Sequence, residues 1–76
     1  MIIKVRLFAN LKEILGKEFL FLEFEKNPTI SDIINALINL GLEKVIIKNG
    51  KFDDRYKIIY EESKQEVYVL PPVCGG

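Results

Sequence analysis

Apolar and polar side chains alternate from the first residues onward. Ile3, Val5 and Leu7 fall on one side, Lys4 and Arg6 on the other, and this period of two predicts a strand over Met1–Phe8. Asn10 then precedes Leu-Lys-Glu-Ile-Leu, with Glu13 three places on, which is a capping-box spacing. It predicts one or two helical turns over about Leu11–Leu15, closed by Gly16. The run Phe19–Glu25 alternates again: Leu20, Leu22 and Phe24 share one face, while Phe19, Phe21, Glu23 and Glu25 share the other. Asn27-Pro28 ends that strand.

The period then changes. In Thr29–Gly41, Ile30, Ile33, Ile34, Leu37, Ile38 and Leu40 recur at helical spacing, so one apolar face of a helix is expected to be core. Thr29 is placed to cap it, Asp32 stands at the third helical position, and Gly41 closes it. Lys44–Lys48 reads as a short strand ahead of an Asn49-Gly50 tight turn. Lys51–Tyr60 fits no single period, Glu61–Gln65 reads as a solvated turn, and Glu66–Leu70 reads as a last strand. Pro71-Pro72 ends it, because proline donates no ladder hydrogen bond. Strand, short helix, strand, long helix and further strands describe an α+β roll, with one main helix across one face of a mixed sheet.

Such a sheet leaves its other side open. With Leu20 and Leu22 facing the helix, Phe19 and Phe21 point outward; with Val67 and Val69 facing it, Tyr68 and Leu70 do the same. The same parity exposes Phe8. These five residues form a candidate partner interface, since clustered outward aromatics are unusual on a monomer.

Composition narrows the chemistry. The chain has 76 residues, enough for one domain. Eleven basic and eleven acidic side chains cancel, and no basic stripe with interleaved aromatics is present, so nucleic acid is not expected as a partner. No apolar run is long enough to span a bilayer, and Met1–Phe8 lacks a signal-peptide layout, so a cytoplasmic protein with no membrane partner is expected. The chain has one cysteine and no histidine. An internal disulfide, a Ser-His-Asp triad and a transition-metal site are therefore not expected, nor is a bound cofactor.

The chemistry that remains is at the end, in Val-Tyr-Val-Leu-Pro-Pro-Val-Cys-Gly-Gly, which carries no charged side chain. The domain is expected over 1–70 and a flexible, extended tail over 71–76. Gly75 and Gly76 have no Cβ, so they fit a channel too narrow for other residues and leave the terminal carboxyl open to attack. Pro71 and Pro72 stiffen the exit and reduce the entropy lost on threading. Fully extended, Pro71–Gly76 reaches roughly 20 Å, deep enough to place Gly76 in a partner's active site. A carboxylate is a poor electrophile, so the partner must activate it, for which an acyl adenylate is suited.

Leu-Pro-Pro-Val-Cys-Gly-Gly resembles the Pro-Pro-Val-x-Gly-Gly end of the molybdopterin synthase small-subunit family, sulfur carriers of the ubiquitin-like β-grasp group. Leu7–Gly16 resembles that family's segment after the first strand, through Phe8, Ala9, Leu11, Glu13 and Gly16. The resemblance covers essentially the whole chain and implies the β-grasp fold. It implies that an adenylyltransferase similar to the ubiquitin-activating class uses ATP to adenylate Gly76, and that sulfur then replaces an oxygen there as a thiocarboxylate. It further implies that Pro71, Pro72, Val73, Cys74 and Gly75 insert into a large synthase subunit, within a heterotetramer, where the sulfur passes to a pterin precursor of molybdopterin. The chain itself would be a non-catalytic carrier subunit. Two departures stand out. Cys74 replaces the family's usual small residue and reads as a channel-packing side chain, since its attack on Gly76 would close a strained ring. Glu-Ser-Lys-Gln-Glu replaces the usual Asp-Gly turn, which affects only a loop. A thiamine-type carrier, a tRNA-thiolation carrier, a ubiquitin-like modifier and an interaction domain with an inert tail are the alternatives.

Overall fold

The computed structural model describes residues 1–72. Strand β1 (Ile2–Leu7) is followed by helix α1 (Asn10–Leu15), strand β2 (Phe19–Glu23), helix α2 (Ile30–Leu37) and helix α3 (Glu43–Ile46). Four strands follow among the described residues: β3 (Ile47–Lys48), β4 (Lys51–Phe52), β5 (Lys57–Glu61) and β6 (Glu66–Leu70). The main sheet has the order β2-β1-β6-β5, with β1 and β6 parallel at its centre and the outer pairs antiparallel. Strands β3 and β4 form a separate hairpin. The expected roll, with a mixed sheet and one main helix, is the architecture found.

The core follows from the alternation. Ile3, Val5 and Leu7 of β1, Leu20 and Leu22 of β2, and Val67 and Val69 of β6 bury the same face of the sheet. Ile33 and Leu37 of α2 join them, as do Leu11, Leu42, Ile46 and Tyr56. Helix α2 begins as its sequence predicts: the Thr29 side chain accepts from the Asp32 N–H at 3.1 Å, and the Asp32 carboxylate accepts from the Thr29 N–H at 2.9 Å.

Four expectations are corrected. The capping box at Asn10 does not form; Asn10 is already helical, and α1 closes its first turn on the Ala9 carbonyl, with Lys12 N–H at 3.1 Å. Leu40 is not core but 44% exposed: the helix breaks next to it, at Gly41, and Leu42 beyond the break is buried instead. The chain turns there at Gly41, whose φ of 105° suits a residue without a Cβ. Ile30, at the first position of α2, is also exposed. Lys44–Ile46 is helical, not extended, and only Ile47–Lys48 pairs as a strand. The Asn49-Gly50 turn is present, both residues at positive φ as a tight hairpin between twisted strands requires.

Candidate functional site

Directly paired residues share a face, so the register lays out the open side of the sheet row by row. Phe21, Lys4, Glu66 and Glu61 form one row; Phe19, Arg6, Tyr68 and Ile59 form the next; Leu70 and Lys57 begin a third. The Phe19 and Phe21 rings meet edge to face with centroids 5.7 Å apart. The Lys4 ammonium lies 4.4 Å from the centre of the Phe19 ring, a cation–π contact. Phe21 is 60% exposed and Phe19 44%, with Phe8 also exposed and Tyr68 and Leu70 half-buried.

Charge is organised in the middle of this face. Arg6 Nε donates to Glu66 Oε2 at 3.2 Å, and the Tyr68 hydroxyl donates to Glu66 Oε1 at 3.2 Å. The Arg6 bond holds the Glu66 carboxyl below the usual glutamate range. Partial burial, then the Glu66 bond, push the Tyr68 phenol up. The face is therefore aromatic at the β2 edge, ionic at the centre and apolar again at Ile59, which suits recognition of a mixed protein surface.

Because β1 and β6 are parallel, with Leu7 opposite Val69, they finish at the same end of the sheet. Beyond β1 lies a shallow hollow lined by Arg6, Phe8, Ala9, Lys12 and Glu18. Lys12 and Glu18 pair across it at 2.9 Å, and this bond lowers the Glu18 carboxyl. Ala9 takes φ 51°, ψ −128°, a strained conformation for a residue with a Cβ. Beyond β6 come Pro71 and Pro72, both half-buried. The open aromatics and the exit of the expected tail therefore lie on one continuous part of the molecule. Val73, Cys74, Gly75 and Gly76 lie outside the described residues. Among the described residues, no group of three Cys, Asp or Glu side chains is arranged to hold a metal ion, and no helix is long and apolar enough to cross a membrane.

Two features escape a sequence reading. Ile59, 43% exposed, belongs to the open face, but with Ile58 beside it the alternation of β5 is invisible. Asp53, only 7% exposed, is the one buried charged residue among those described. Its carboxylate receives Arg55 Nε at 3.1 Å, an Arg55 terminal nitrogen at 2.8 Å and the Arg55 backbone N–H at 3.1 Å. These bonds, the Arg55 side chain first, lower its pKa to about 2. Its backbone joins Ile46 to Tyr56, so the group pins the segment between β4 and β5 against α3. The spacing Asp-x-Arg is the available signal, and it is too common to single out.

A mixed sheet with its first and last strands parallel at the centre, a single main helix across one side and an open aromatic side leading to the C-terminal segment defines a ubiquitin-like β-grasp protein. The fold is similar to the crystal structure of SAMP1 from Haloferax volcanii, at TM-score 0.82 and 22% identity over 100% of both chains. It is similar also to H. volcanii small archaeal modifier protein 1, at TM-score 0.79 and 21% identity, over 95% of this chain and 98% of that one. No family model matches the sequence. A molybdopterin synthase sulfur carrier subunit from Dictyostelium discoideum is 31% identical over 81 residues, covering 96% of this chain and 94% of its own. The chain belongs to the family of molybdopterin synthase sulfur carrier subunits.

Proposed function

We propose that this chain carries sulfur as a thiocarboxylate on Gly76 and delivers it to a large synthase subunit for molybdopterin assembly. In this reading the Gly76 carboxylate attacks the α-phosphorus of ATP on an activating adenylyltransferase, and pyrophosphate leaves. A sulfur nucleophile then displaces AMP from the acyl carbon. The chain contributes the carboxyl and the docking surface, and the enzymes contribute the acid–base chemistry. The reading places this work in the cytoplasm. The observation that carries it is the family membership joined to the layout of the sheet: Phe8, Phe19, Phe21, Tyr68 and Leu70 lie on the open side of a sheet whose last strand runs on into Pro-Pro-Val-Cys-Gly-Gly. One surface can thus hold a partner while Pro71 to Gly75 enter it. Appending one alanine after Gly76, or deleting Gly76, is expected to abolish sulfur loading while the thermal melt stays unchanged. Cys74→Ser is expected to keep most loading. Unchanged thiocarboxylate formation in either terminal variant overturns the proposal.

The likeness to a small archaeal modifier protein supports a second reading, conjugation of Gly76 to lysines of other proteins. Intact mass from the native cell separates the two. Exchange of oxygen for sulfur marks the carrier; isopeptide-linked adducts mark the modifier.

A further inference from the structure

The β2 edge of the sheet presents backbone groups as well as aromatics. Leu7 N–H bonds the Glu18 carbonyl and Phe24 N–H bonds the Met1 carbonyl, which fixes the alternation of the β1–β2 ladder. Leu20 and Leu22 direct their N–H and C=O groups to β1. Phe19, Phe21 and Glu23 direct theirs outward, away from the sheet. Among the described residues no hydrogen bond engages those outward groups. The opposite edge differs. By the same alternation, carried from Lys4 N–H on the Gln65 carbonyl, β5 turns only Ile58 and Tyr60 outward. Their side chains are half-buried against the core. Among the described residues, only at β2 do free backbone groups and exposed aromatic side chains belong to the same residues.

We infer that β2 pairs antiparallel with β2 of a second copy, about a two-fold axis at Leu20. The pairing sets Phe19 opposite Phe21 twice, and these outward residues exchange four backbone hydrogen bonds. It also brings Lys17, two residues ahead of β2 with its N–H held by the Lys12 carbonyl, alongside Glu23 of the other copy, twice. All four of those charged side chains are exposed, and neither residue has an ion-pair partner among the described residues of its own chain. Leu20 and Leu22 stay in their own cores, and the two open faces join into one sheet of eight strands. Self-complementary charge and aromatic pairs select a second copy over an unrelated strand. The contact is short, so it falls in the class of small, reversible interfaces. It stands apart from the chemistry of Gly76 and needs none of it.

Sedimentation velocity of the full chain from about 10 μM to about 1 mM tests this, since a small interface assembles in that range. The wild type is expected to sediment faster as concentration rises, with amide shifts confined to Lys17–Glu23. Glu23→Lys and Lys17→Glu are each expected to weaken association at least tenfold, because each sets like charges opposite one another. An equimolar mixture of the two variants is expected to restore a dimer. One variant then carries only basic side chains at the two paired positions, and the other only acidic ones. A chain that stays monomeric throughout overturns the proposal. So does association indifferent to both substitutions, or a mixture that fails to reassemble.

Discussion

The two faces of the sheet use the same strands and opposite halves of the alternation. On the helix side, Ile3, Val5, Val67 and Val69 are completely buried and carry no polar atom in the side chain. On the open side, their immediate neighbours Lys4, Arg6, Glu66 and Tyr68 form a charged, hydrogen-bonded centre beside Phe19 and Phe21. The first face gains from removal of apolar area from water, and the second leaves the aromatic area of Phe19 and Phe21 exposed. Buried and exposed faces are thereby separated by single-residue steps along one chain, and the proposed function assigns stability to the first and recognition to the second.

The largest effect that checks this separation is on the buried side. Leu37→Ala is expected to cost about 2–5 kcal/mol, since Leu37 is fully enclosed and its removal leaves a cavity. A chain of 76 residues has on the order of 4–11 kcal/mol in total, so much of the folded population is at stake. Denaturant melts check it. A loss under about 1 kcal/mol would mean that the site collapses freely and that the helix side is not close-packed.

Next in size is the open side. Phe21→Ala is expected to change folding stability little and to weaken binding to a large synthase-type subunit by ~2 kcal/mol or more. Melts beside binding titrations separate the two quantities. A collapse of the melting temperature would assign Phe21 to stability and erase the contrast between the faces. Intact binding would leave the tail as the sole recognition element.

Much of this was legible because periodicity reports a face wherever neighbours differ in kind. Phe19–Glu23 and Glu66–Leu70 alternate strictly, and Thr29 with Asp32 carries both halves of a capping box. Legibility failed where the pattern was degenerate. Asn10 and Glu13 have capping-box spacing, yet the end of β1 fixes where the chain turns, and it turns one residue earlier, at Ala9. Val45, Ile46 and Ile47 favour a strand by propensity. The break at Gly41 nevertheless restarts a helix that buries Ile46. Ile58 and Ile59 hide which of them faces outward, so the far end of the Phe19–Arg6–Tyr68 row was missing from the expected interface. The Asp53–Arg55 clasp is local in sequence, but Asp53 is also tied by its N–H to the Ile46 carbonyl of α3, a contact that only the fold supplies.

The smallest expected effects compare a carboxylate on the open face with one in the wall of the core. Glu66 and Asp53 both have folded pKa values depressed by an arginine, from 4.5 in the first case and from 3.8 to about 2 in the second. A depressed carboxylate stabilises the fold above its unfolded pKa and loses that contribution as pH falls through the folded value. For Asp53 the window runs from about pH 4 down to about pH 2. Stability of the wild type is therefore expected to fall across it. Asp53→Asn is expected to lower stability at neutral pH and to flatten that acid limb, because an amide neither titrates nor attracts Arg55 as a carboxylate does. Arg6→Gln is expected to raise the Glu66 pKa toward 4.5 in an NMR titration while leaving the neutral-pH melt nearly unchanged, since the half-exposed Arg6 lets water screen the pair. If Arg6→Gln destabilised the domain as much as Asp53→Asn, the ionic centre of the open face would be part of the folding machinery. Recognition and stability would then share residues that the alternation of β1 and β6 otherwise keeps apart.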